Sequence, residues 1–540
     1  MKSKKTIFSF LLFSLISLIF VACSNDDVVN DSPTAEGHSE PEVILTDDEK
    51  AELKEDFAKV LSLVVYENQL VRGFLKNEAV KCFDKNYDIL YLNVKDSLIG
   101  NKTFHDILAE KSSDLFISKI EKQMPLLNIL FPELPMFNLK PENYSVEDKE
   151  LPVAVSGKIS NKLFFKGEKT DDLDKNEVPD FYVLVVNENK RVIVDKETRT
   201  SCGSCYKFKY PEYDGVNKSK ATRGVVDYEK KVREAFNYFN KDDSSINSMA
   251  FQRDYVYFGI TPEKRTGSLN YSVSEYLYYI EVNPDAFFRI SDDPAPNDEE
   301  EKRPKNYDPR IKNYSIEKHY SDFSQADLLS SIWTDGSYNF IFEIVSSNID
   351  TAIKVPVPAS PSDLWDFHLE RTYRHSTMFR SSKYSYRIHP EKFTAKRFRL
   401  STPVNLPKWH INQEAILRRI NIFEEDGKTN LKTEENYTFT CINQDKFSGN
   451  TKLDIGLGND NKDKAEYSTS YENSKSLTTT VNKKITYERF GESDDLGHVM
   501  VYFYDPIILE NIWVGNKAGR FHSVFKEYNT GIVKFSLIAF

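Results

Sequence analysis

The sequence has little glycine and no excess of basic residues. Its 540 residues include 20 Gly, and with no repeat at a fixed period this argues against a fibrous or repeat architecture. The formal net charge of -11 is spread along the chain. That argues against a general nucleic-acid binder, because phosphate contacts need a net basic surface. A hydrophobic content of 40 % can build cores, and Tyr and Phe far outnumber Trp, which favours sheet. The length predicts roughly two to four domains.

The motifs of common catalytic and metal sites are also missing. The chain has no GxSxG elbow, no Walker A loop and no HExxH among its nine His. Carboxylate pairs are too numerous for spacing in sequence to select one. The stretch from Asp171 to Asn176 starts like a calcium loop, but Glu177 stands where that loop needs Gly. The sequence therefore predicts no catalytic residue, no metal site and no cofactor.

Long apolar runs are confined to the N-terminus. Residues 7–21 are apolar except for three Ser and follow Lys2, Lys4 and Lys5. The run has about 15 residues, which is too short to span a bilayer core of ~30 Å comfortably. It predicts a signal peptide over residues 1–22, and the rest of the chain is expected to lie outside the bilayer.

The apolar run closes with Phe20-Val21-Ala22-Cys23. A small residue followed by Cys at this place resembles the lipobox of bacterial lipoproteins, although Phe20 stands where Leu is usual. The resemblance implies cleavage before Cys23, a diacylglyceryl group on its thiol and a further acyl chain, such as palmitate, on the new amino terminus. Cys23 is thus the expected lipid-attachment site, and the membrane is the expected partner through that lipid.

Acidic residues follow this cysteine at once. Ser24-Asn25-Asp26-Asp27 resembles the surface-export signal of Bacteroidota lipoproteins, and the later chain resembles, in general texture only, the large uncharacterised lipoproteins of that lineage. The resemblance implies an outer-membrane protein whose body faces the cell surface. A plain solvated tether is the alternative explanation.

The hydrophobic period then changes along the chain. Residues 23–45 are polar and predict a flexible tether. A capping box and helical spacing predict a small helical domain at 46–145. Residues 146–325 predict a mixed α/β segment with a disordered acidic loop at 291–304, and residues 326–540 predict a β-rich domain.

The predicted fold class is therefore α+β. A small N-terminal helical domain precedes a β-rich body, whose C-terminal part is expected to be a β-sandwich because short strands and turns alternate there. Within the middle segment, the alternation over residues 181–194 predicts a hairpin with a turn at 187–190.

A single CxxC motif is formed by Cys202 and Cys205. Its surroundings predict loop and strand, whereas the thioredoxin-like motif opens a helix. One pair of cysteines cannot complete a four-ligand zinc site without partners. A disulfide between them, or two inert thiols, is the favoured interpretation. Metal binding and redox chemistry are the alternatives.

Residues 366–399 are the one basic stretch, with six Arg and three Lys against three acidic residues. The candidate ligand-surface residues there are Arg371, Arg374, Tyr384, Tyr386 and Arg387. Aromatic rings beside Arg can stack on sugars or hold an anionic polymer. The same alternation is typical of a sheet with one buried and one wet face, and that plain sheet is the favoured interpretation.

These features favour a membrane-anchored, surface-exposed lipoprotein with a binding or structural role and a glycan or protein ligand. An effector or β-hairpin pore-former is one alternative, because the Ser/Thr-rich run at 467–487 resembles the amphipathic hairpins of aerolysin-like toxins. A hydrolase without a recognisable motif is another. No nucleic-acid partner is expected.

Overall fold

The first helix begins at the predicted capping box. In the computed structural model, Thr46 Oγ1 accepts a hydrogen bond from the Glu49 N–H at 3.3 Å, and the Glu49 carboxylate accepts one from the Thr46 N–H at 2.8 Å. These bonds satisfy two backbone donors that the first helical turn leaves open. The helix ends at Asn68, whose side chain accepts from the N–H of Leu70 and so caps the next helix.

The structure describes residues 45–157, 160–170, 172–174, 177–194, 206–216, 227–239, 252–259, 261, 266–268, 270, 272–286, 333–373, 384–389, 392–409, 417–425, 430–442, 452–454, 478–490, 493–503, 505–514 and 520–540. The helices are α1 (Asp47–Glu67), α2 (Gln69–Val80), α3 (Tyr91–Val94), α4 (Phe104–Ala109), α5 (Asp114–Gln123), α6 (Lys230–Phe239), α7 (Gln252–Phe258) and α8 (Pro361–Leu364).

The strands of the first half are β1 (Asp88–Leu90), β2 (Leu98–Ile99), β3 (Lys102–Thr103), β4 (Leu127–Leu130), β5 (Val153–Ser156), β6 (Ser160–Phe165), β7 (Glu168–Lys169), β8 (Leu173–Asp174), β9 (Glu177–Val178), β10 (Leu184–Glu188), β11 (Val192–Val194), β12 (Tyr206–Phe208), β13 (Thr266–Ser268) and β14 (Glu275–Val282). Those of the second half are β15 (Tyr338–Val345), β16 (Ile353–Ala359), β17 (Trp365–Asp366), β18 (Leu369–Tyr373), β19 (Tyr384–Ile388), β20 (Thr394–Ala395), β21 (Phe398–Asn405), β22 (Leu417–Glu424), β23 (Asn430–Ile442), β24 (Lys452–Asp454), β25 (Thr478–Phe490), β26 (Asp494–Tyr502), β27 (Ile508–Val514), β28 (Arg520–Phe525), β29 (Glu527–Asn529) and β30 (Val533–Ala539).

A seven-stranded sheet, here called the central sheet, lies between the two main cores of the described chain. Its order is β1-β4-β10-β5-β6-β7, with β8 also paired to β6. On one face, Leu127 and Ile129 of β4 join the N-terminal core, which helices α1 and α2 cover. On the other face, Leu130 and Val185 join the core of the strand-rich body. A sheet buried on both faces has strands that are almost wholly apolar, so any polar residue on them is informative.

The strand-rich body places two four-stranded sheets around one core. One has the order β21-β14-β30-β29, and the other has the order β16-β15-β22-β26. Phe342 on β15 meets Phe535 on β30 with ring centroids 5.3 Å apart and an interplanar angle of 83°, which is the edge-to-face geometry that aromatic pairs favour. The fold is therefore α+β, with a small N-terminal helical region and a sandwich-like C-terminal part, as the sequence predicts.

Sheets cross both boundaries between the three predicted segments. Strand β4, from the segment at 46–145, pairs with β10 in the segment at 146–325. Strand β14 of that second segment pairs with β21 and β30 in the segment at 326–540. Leu45–Phe540 accordingly forms one compact unit. The predicted signal peptide at 1–22, nearly all of the predicted tether at 23–45 and the predicted acidic loop at 291–304 lie outside the described residues.

The hairpin predicted at 181–194 does not form. Strand β10 pairs with β4 and β5, whereas β11 pairs with β12. The chain between them cannot close a simple turn, because Asn189 and Arg191 are both buried and bonded to other segments. Alternation in the sequence identified the two strands correctly but not their partners.

Strands β23 and β25 form a long two-stranded ribbon with thirteen paired positions. One face of the ribbon is held to the body, since Phe439, Ile485 and Tyr487 bury their side chains with Val345. The other face is wet and carries ion pairs such as Lys432 with Glu488, at 3.0 Å. Residues 467–477, the first half of the run compared with toxin hairpins, lie outside the described residues, and pore formation stays a prediction.

The helical region contains a histidine between two carboxylates, and this predicts a pH-dependent stability. His105 Nδ1 lies 2.7 Å from Glu121 Oε1, and Nε2 lies 3.0 Å from Asp114 Oδ1. Burial opposes the imidazolium form, but the hydrogen bonds to Asp114 and Glu121 outweigh it and raise the pKa of His105. A raised pKa in the folded state stabilises the protein fully below the unfolded pKa of about 6.5, and this stability is lost as the pH rises through the folded pKa.

We therefore expect His105→Gln to reduce the free energy of unfolding more at about pH 5.5 than at about pH 8.5. Chemical denaturation at both pH values measures this difference. A loss that is equal at the two pH values would contradict the charged pairing.

Candidate functional site

A polar cleft lies where the central sheet meets the strand-rich body. It is formed by the turn before β1, the middle of β4, the chain between β10 and β11, and the turn that leads into β15. The side chains that line it are Asn86, Asp88, Asn128, Asn187, Glu188, Asn189, Lys190, Arg191, Asp335, Ser337 and Asn339. All of them are polar. The volume of the cleft is about 20 Å³, which is room for about one water molecule.

Strand register brings the floor of the cleft together. Asn128 on β4 lies directly opposite Asn187 on β10, and Asp88 on β1 lies opposite Leu130, two residues along β4. Side chains two apart on a strand point to the same face, so the three polar residues lie beside Leu130 on the face toward the body. Three neighbouring strands therefore each place one polar side chain at the same end of an otherwise apolar surface.

Two buried carboxyl groups meet behind this floor. Each oxygen of Asp88 accepts from an amide: Oδ1 from Asn128 Nδ2 at 2.5 Å, and Oδ2 from Asn86 Nδ2 at 3.0 Å. Asp84 accepts from Asn189 Nδ2 at 2.7 Å. Burial, followed by the charge of Asp84, raises the pKa of Asp88 well above its usual range. Both effects favour the neutral form of Asp88, because an ionised Asp88 carboxylate would be poorly solvated and would repel Asp84.

Asn128 has one atom without a partner. Its Nδ2 donates to Asp88 Oδ1 and, at 2.8 Å, to Asn187 Oδ1. These two acceptors fix the orientation of the amide, because a flipped group would set oxygen against oxygen. Asn128 Oδ1 is then fully buried and has no hydrogen-bond partner in the described chain. An unsatisfied buried acceptor costs about 1–3 kcal/mol, so the Asn128 side chain is held in place at some cost in stability.

Arg191 forms the opposite wall. Its Nη1 donates to the backbone carbonyl of Asp84 at 2.8 Å, its Nε donates to Asn339 Oδ1 at 2.9 Å, and its Nη2 donates to Ser337 Oγ. The guanidinium thereby joins the turn before β1 to the turn before β15. It also lies over the ring of Tyr213, 5.4 Å from the centroid. Arg191 is 3 % exposed, so water contributes little to its solvation.

The network continues into the body through Asn339. The backbone N–H of Asn339 donates to Glu424 Oε1 at 2.9 Å. The neighbouring Glu425 accepts from the Tyr210 hydroxyl at 2.7 Å and from Lys354 Nζ at 3.3 Å. The cleft residues are thus one end of a longer buried polar network, and that network keeps their side chains in place.

This arrangement favours binding over acid–base catalysis. Asp84 is fully buried and does not line the cleft, and both oxygens of Asp88 are engaged by amide donors. A general acid or base must reach the proton that it transfers, and this pair does not. Within the described residues, no three His, Cys, Asp or Glu side chains gather as a metal site.

The residues of the predicted ligand surface do not share one face. Arg371, Tyr384 and Tyr386 lie on one side of the β18–β19 pair, and Arg387 lies on the other. Arg371 stacks over the Tyr384 ring at 4.3 Å, and Arg387 bonds Asp174 at 2.8 Å. Arg387 is therefore separated from the other candidates, because neighbouring residues of a strand point to opposite faces.

The two tyrosines of that strand also differ in exposure. Tyr384 is 38 % exposed, whereas Tyr386 is half-buried and meets Phe137 edge-on at 4.9 Å. Further along the basic stretch, Arg397 and Arg399 bond Glu527 and Glu229. These pairings are those of an ordinary sheet surface. Arg374, Cys202, Cys205 and Cys23 lie outside the described residues.

Sequence reasoning did not select the cleft residues. Two signals for them were present: a lone Asn in the apolar strand 127–130, and the alternation of Asp84, Asn86 and Asp88. In the third segment, residues 187–190 were predicted to be a hairpin turn and Arg191 to begin the second strand of that hairpin. None of these marks a site alone, because their proximity depends on which strands pair.

Gly336 lies between the cleft residues Asp335 and Ser337, and its replacement should disturb the site. Its φ is +79°, and a Cβ there would lie 2.6 Å from Asn86 Nδ2. Gly531 has a φ of +94° but no atom within 4 Å of its Cβ position. We expect both Gly→Ala variants to lose about 1–2 kcal/mol from backbone strain. Gly336→Ala should lose more, because Asn86 must also move. Equal losses in chemical denaturation would contradict this crowding.

The raised pKa of Asp88 predicts a second effect of pH. The pKa of Asp88 is raised in the folded state, so its contribution to stability is full below its unfolded pKa of about 4 and is lost as the pH rises through the folded pKa. The Asp88→Asn side chain is neutral and cannot contribute this pH dependence. Its own cost, about 1–3 kcal/mol from a misplaced amide donor, should not vary with pH.

The free energy of unfolding of the wild type should therefore fall, relative to Asp88→Asn, as the pH rises above the unfolded pKa of about 4 and through the folded pKa of Asp88. Urea denaturation of the two proteins across this range gives the difference. Parallel pH profiles would mean that Asp88 is ionised in the folded protein.

No protein-family model, no curated protein and no solved structure matches this chain. None of the helices in the described parts of the chain is long and apolar enough to cross a membrane. What the chain binds must therefore be inferred from its own residues.

Proposed function

We propose that this chain is a lipid-anchored binding protein displayed at the cell surface, and that the polar cleft is where it binds its ligand. The anchor is the acylated Cys23, and the outer membrane is its site of attachment. The body binds a glycan or protein ligand outside the cell.

The support for the anchor comes from the N-terminal sequence. The basic residues before position 7, the short apolar run and the closing Ala22-Cys23 follow the order of a lipoprotein signal. The acidic residues Asp26 and Asp27 support export to the surface. A polar tether of roughly 20 residues behaves as a random coil about 25 Å in end-to-end distance, which is enough to hold a body clear of lipid headgroups.

The observation that carries the binding role is the polar cleft itself. All of its lining side chains are polar, and the Asn128 amide on its floor is held by bonds to Asp88 and Asn187. A group held in place before binding loses little freedom when the ligand arrives, which favours recognition.

Lipid attachment is tested by replacing the cysteine. Cys23→Ala should abolish incorporation of radiolabelled fatty acid and leave the signal peptide uncleaved. Cys82→Ala, in the body, should still incorporate the label and should still be cleaved. At least two acyl chains are needed for stable attachment, because a single chain binds with a K of only about 10⁴ M⁻¹. Label and membrane partition that persist in Cys23→Ala would refute the anchor.

The same cells test display. Protease added to intact cells should cut the tether of the wild-type protein and release the body. Cleavage that occurs only after lysis would place the body in the periplasm and leave the lipid anchor unaffected.

A further inference from the structure

We propose that the peptide bond between Asp505 and Pro506 cleaves itself, with the Asp505 carboxylate as the nucleophile and Arg253 as the group that polarises the Asp505 carbonyl. The bond lies in the turn between β26 and β27, and both of its residues are half-buried, so water reaches them. The activity is one intramolecular hydrolysis, and it is independent of the lipid anchor and the ligand binding proposed above.

An Asp–Pro bond is well suited to attack by its own side chain. A carboxylate oxygen of Asp that bonds to the carbonyl carbon of the same residue closes a five-membered ring. At other Asp–X bonds the following N–H competes by attacking the side chain, but proline has no N–H. The proline nitrogen belongs to a tertiary amide, and it leaves as a basic secondary amine. The residue pair therefore supplies both the nucleophile and the leaving group.

The carbonyl oxygen of Asp505 is bound by a buried cation. Arg253 on α7 donates from Nη1 to this oxygen at 2.5 Å, and its Nε donates to Glu275 Oε1 at 3.1 Å, which holds the guanidinium in place. Arg253 is 1 % exposed, so solvent screens its charge weakly. A fixed donor of this kind stabilises the negative charge that develops on a carbonyl oxygen under attack. Arg253 is thus placed as the oxyanion donor.

The Asp505 carboxylate has one oxygen held and one oxygen open. Oδ2 accepts from the Tyr502 N–H at 2.9 Å and from the Tyr528 hydroxyl at 3.0 Å. From the residues that the structure describes, Oδ1 accepts no hydrogen bond. The two donors on Oδ2 limit the rotation of the carboxylate, and they leave Oδ1 available for attack.

The chain is also clamped beyond the bond. Gln252 Oε1 accepts from the N–H groups of Ile507 and Ile508 at 3.1 and 2.8 Å, and Gln252 Nε2 donates to the Ile508 carbonyl at 2.7 Å. Gln252 is fully buried and precedes Arg253 on the same helix. Neighbouring side chains of α7 therefore hold both sides of the bond, and fixed reacting groups lose less entropy on ring closure.

Other buried arginines of the chain also bind backbone carbonyls, and the comparison separates this site from a purely structural contact. Arg72 donates to the carbonyl of Val65, whose side chain has no nucleophile. Arg191 donates to the carbonyl of Asp84, but Lys85 follows it and its backbone nitrogen is a poor leaving group. The site on α7 combines the donor, the carboxylate and the proline.

The reaction balances with water as the only co-reactant. Oδ1 bonds to the carbonyl carbon of Asp505, and the carbonyl oxygen becomes an oxyanion beside Arg253. Collapse breaks the bond to the Pro506 nitrogen, which takes the electron pair and a proton from water. The hydroxide left behind opens the cyclic anhydride, and the acid proton that results passes to the proline amine. The products are a chain that ends at Asp505 and a chain that begins at Pro506.

The cut chain should stay assembled. Strand β30 pairs with β14 at seven positions, and its apolar side chains lie in the core of the strand-rich body. Residues 506–540 therefore remain in the body after cleavage, and the cut becomes visible only when the chain is denatured.

The experiment follows the mass of the freshly purified full chain. Folded protein is incubated in buffer, and samples are unfolded at intervals and analysed by mass spectrometry. Asp293-Pro294 and Asp308-Pro309 are also Asp–Pro bonds; they lie outside the described residues and serve as internal controls. We expect a fragment 506–540 that forms about tenfold or more faster in folded protein than in urea, and faster than cleavage at the two control bonds. This comparison depends on no variant.

Variants then test the separate roles. Asp505→Ala removes the nucleophile, and Pro506→Ala removes the leaving group, so both should abolish the cut. Tyr528→Phe removes one of the two donors that position Oδ2 and should slow the cut without moving it. The matched control is Tyr279→Phe, which also removes a buried hydroxyl that donates to a carboxylate, that of Glu527 at 2.7 Å. It should cut at the wild-type rate.

Three results would overturn the inference. A chain that stays intact through prolonged incubation would mean that the turn is structural only. Cleavage at all three Asp–Pro bonds at similar rates, or equally fast in urea, would mean ordinary chemical lability and no self-cleaving site. A cut that persists at the wild-type rate in Pro506→Ala would mean that a contaminating protease makes it. None of these results bears on lipid attachment or surface display, which are tested separately.

Discussion

The buried guanidinium of Arg191 is the interaction on which the junction of the two cores depends. It donates to Asp84, Ser337 and Asn339, residues that are far apart in sequence and belong to both sides of the junction. A buried charge is costly unless its hydrogen bonds are made, so these segments must take the positions that satisfy it. Removing the Arg191 side chain would leave a cavity and would also remove the hydrogen bonds that it donates to Asp84, Ser337 and Asn339.

This constraint explains why the central sheet carries polar residues on a face that is otherwise apolar. Leu130 and Val185 pack against the body a short distance from Asn128 and Asn187. Apolar contacts hold the central sheet against the strand-rich body. The amide and carboxyl groups fix how the two are positioned relative to each other. A network whose members satisfy one another is rigid, and rigidity is also what a binding site needs. Two buried atoms beside it, Asn128 Oδ1 and the Tyr213 hydroxyl, have no hydrogen-bond partner in the described chain.

The candidate site could be anticipated from sequence only in fragments. A lone Asn in the apolar strand at 127–130 and the polar alternation before β1 were visible signals, but each is also common in sheets without a site. The basic aromatic stretch gave a stronger local signal and proved to be split across two faces, since Arg371 and Arg387 point in opposite directions. Local pattern reports which face a residue occupies, and it cannot report which strand lies beside it.

The sequence by itself determined the local features of this protein. The capping box at Thr46 and the change from helical to alternating period depend on neighbours within a few residues, and both appear in the structure, as does the α+β class. Tertiary structure alone decided that β10 pairs with β4 and β5 and not with β11, and that Asp88, Asn128 and Asn187 meet. Such pairings depend on burial and hydrogen bonding between distant segments, where many alternatives have similar local propensities.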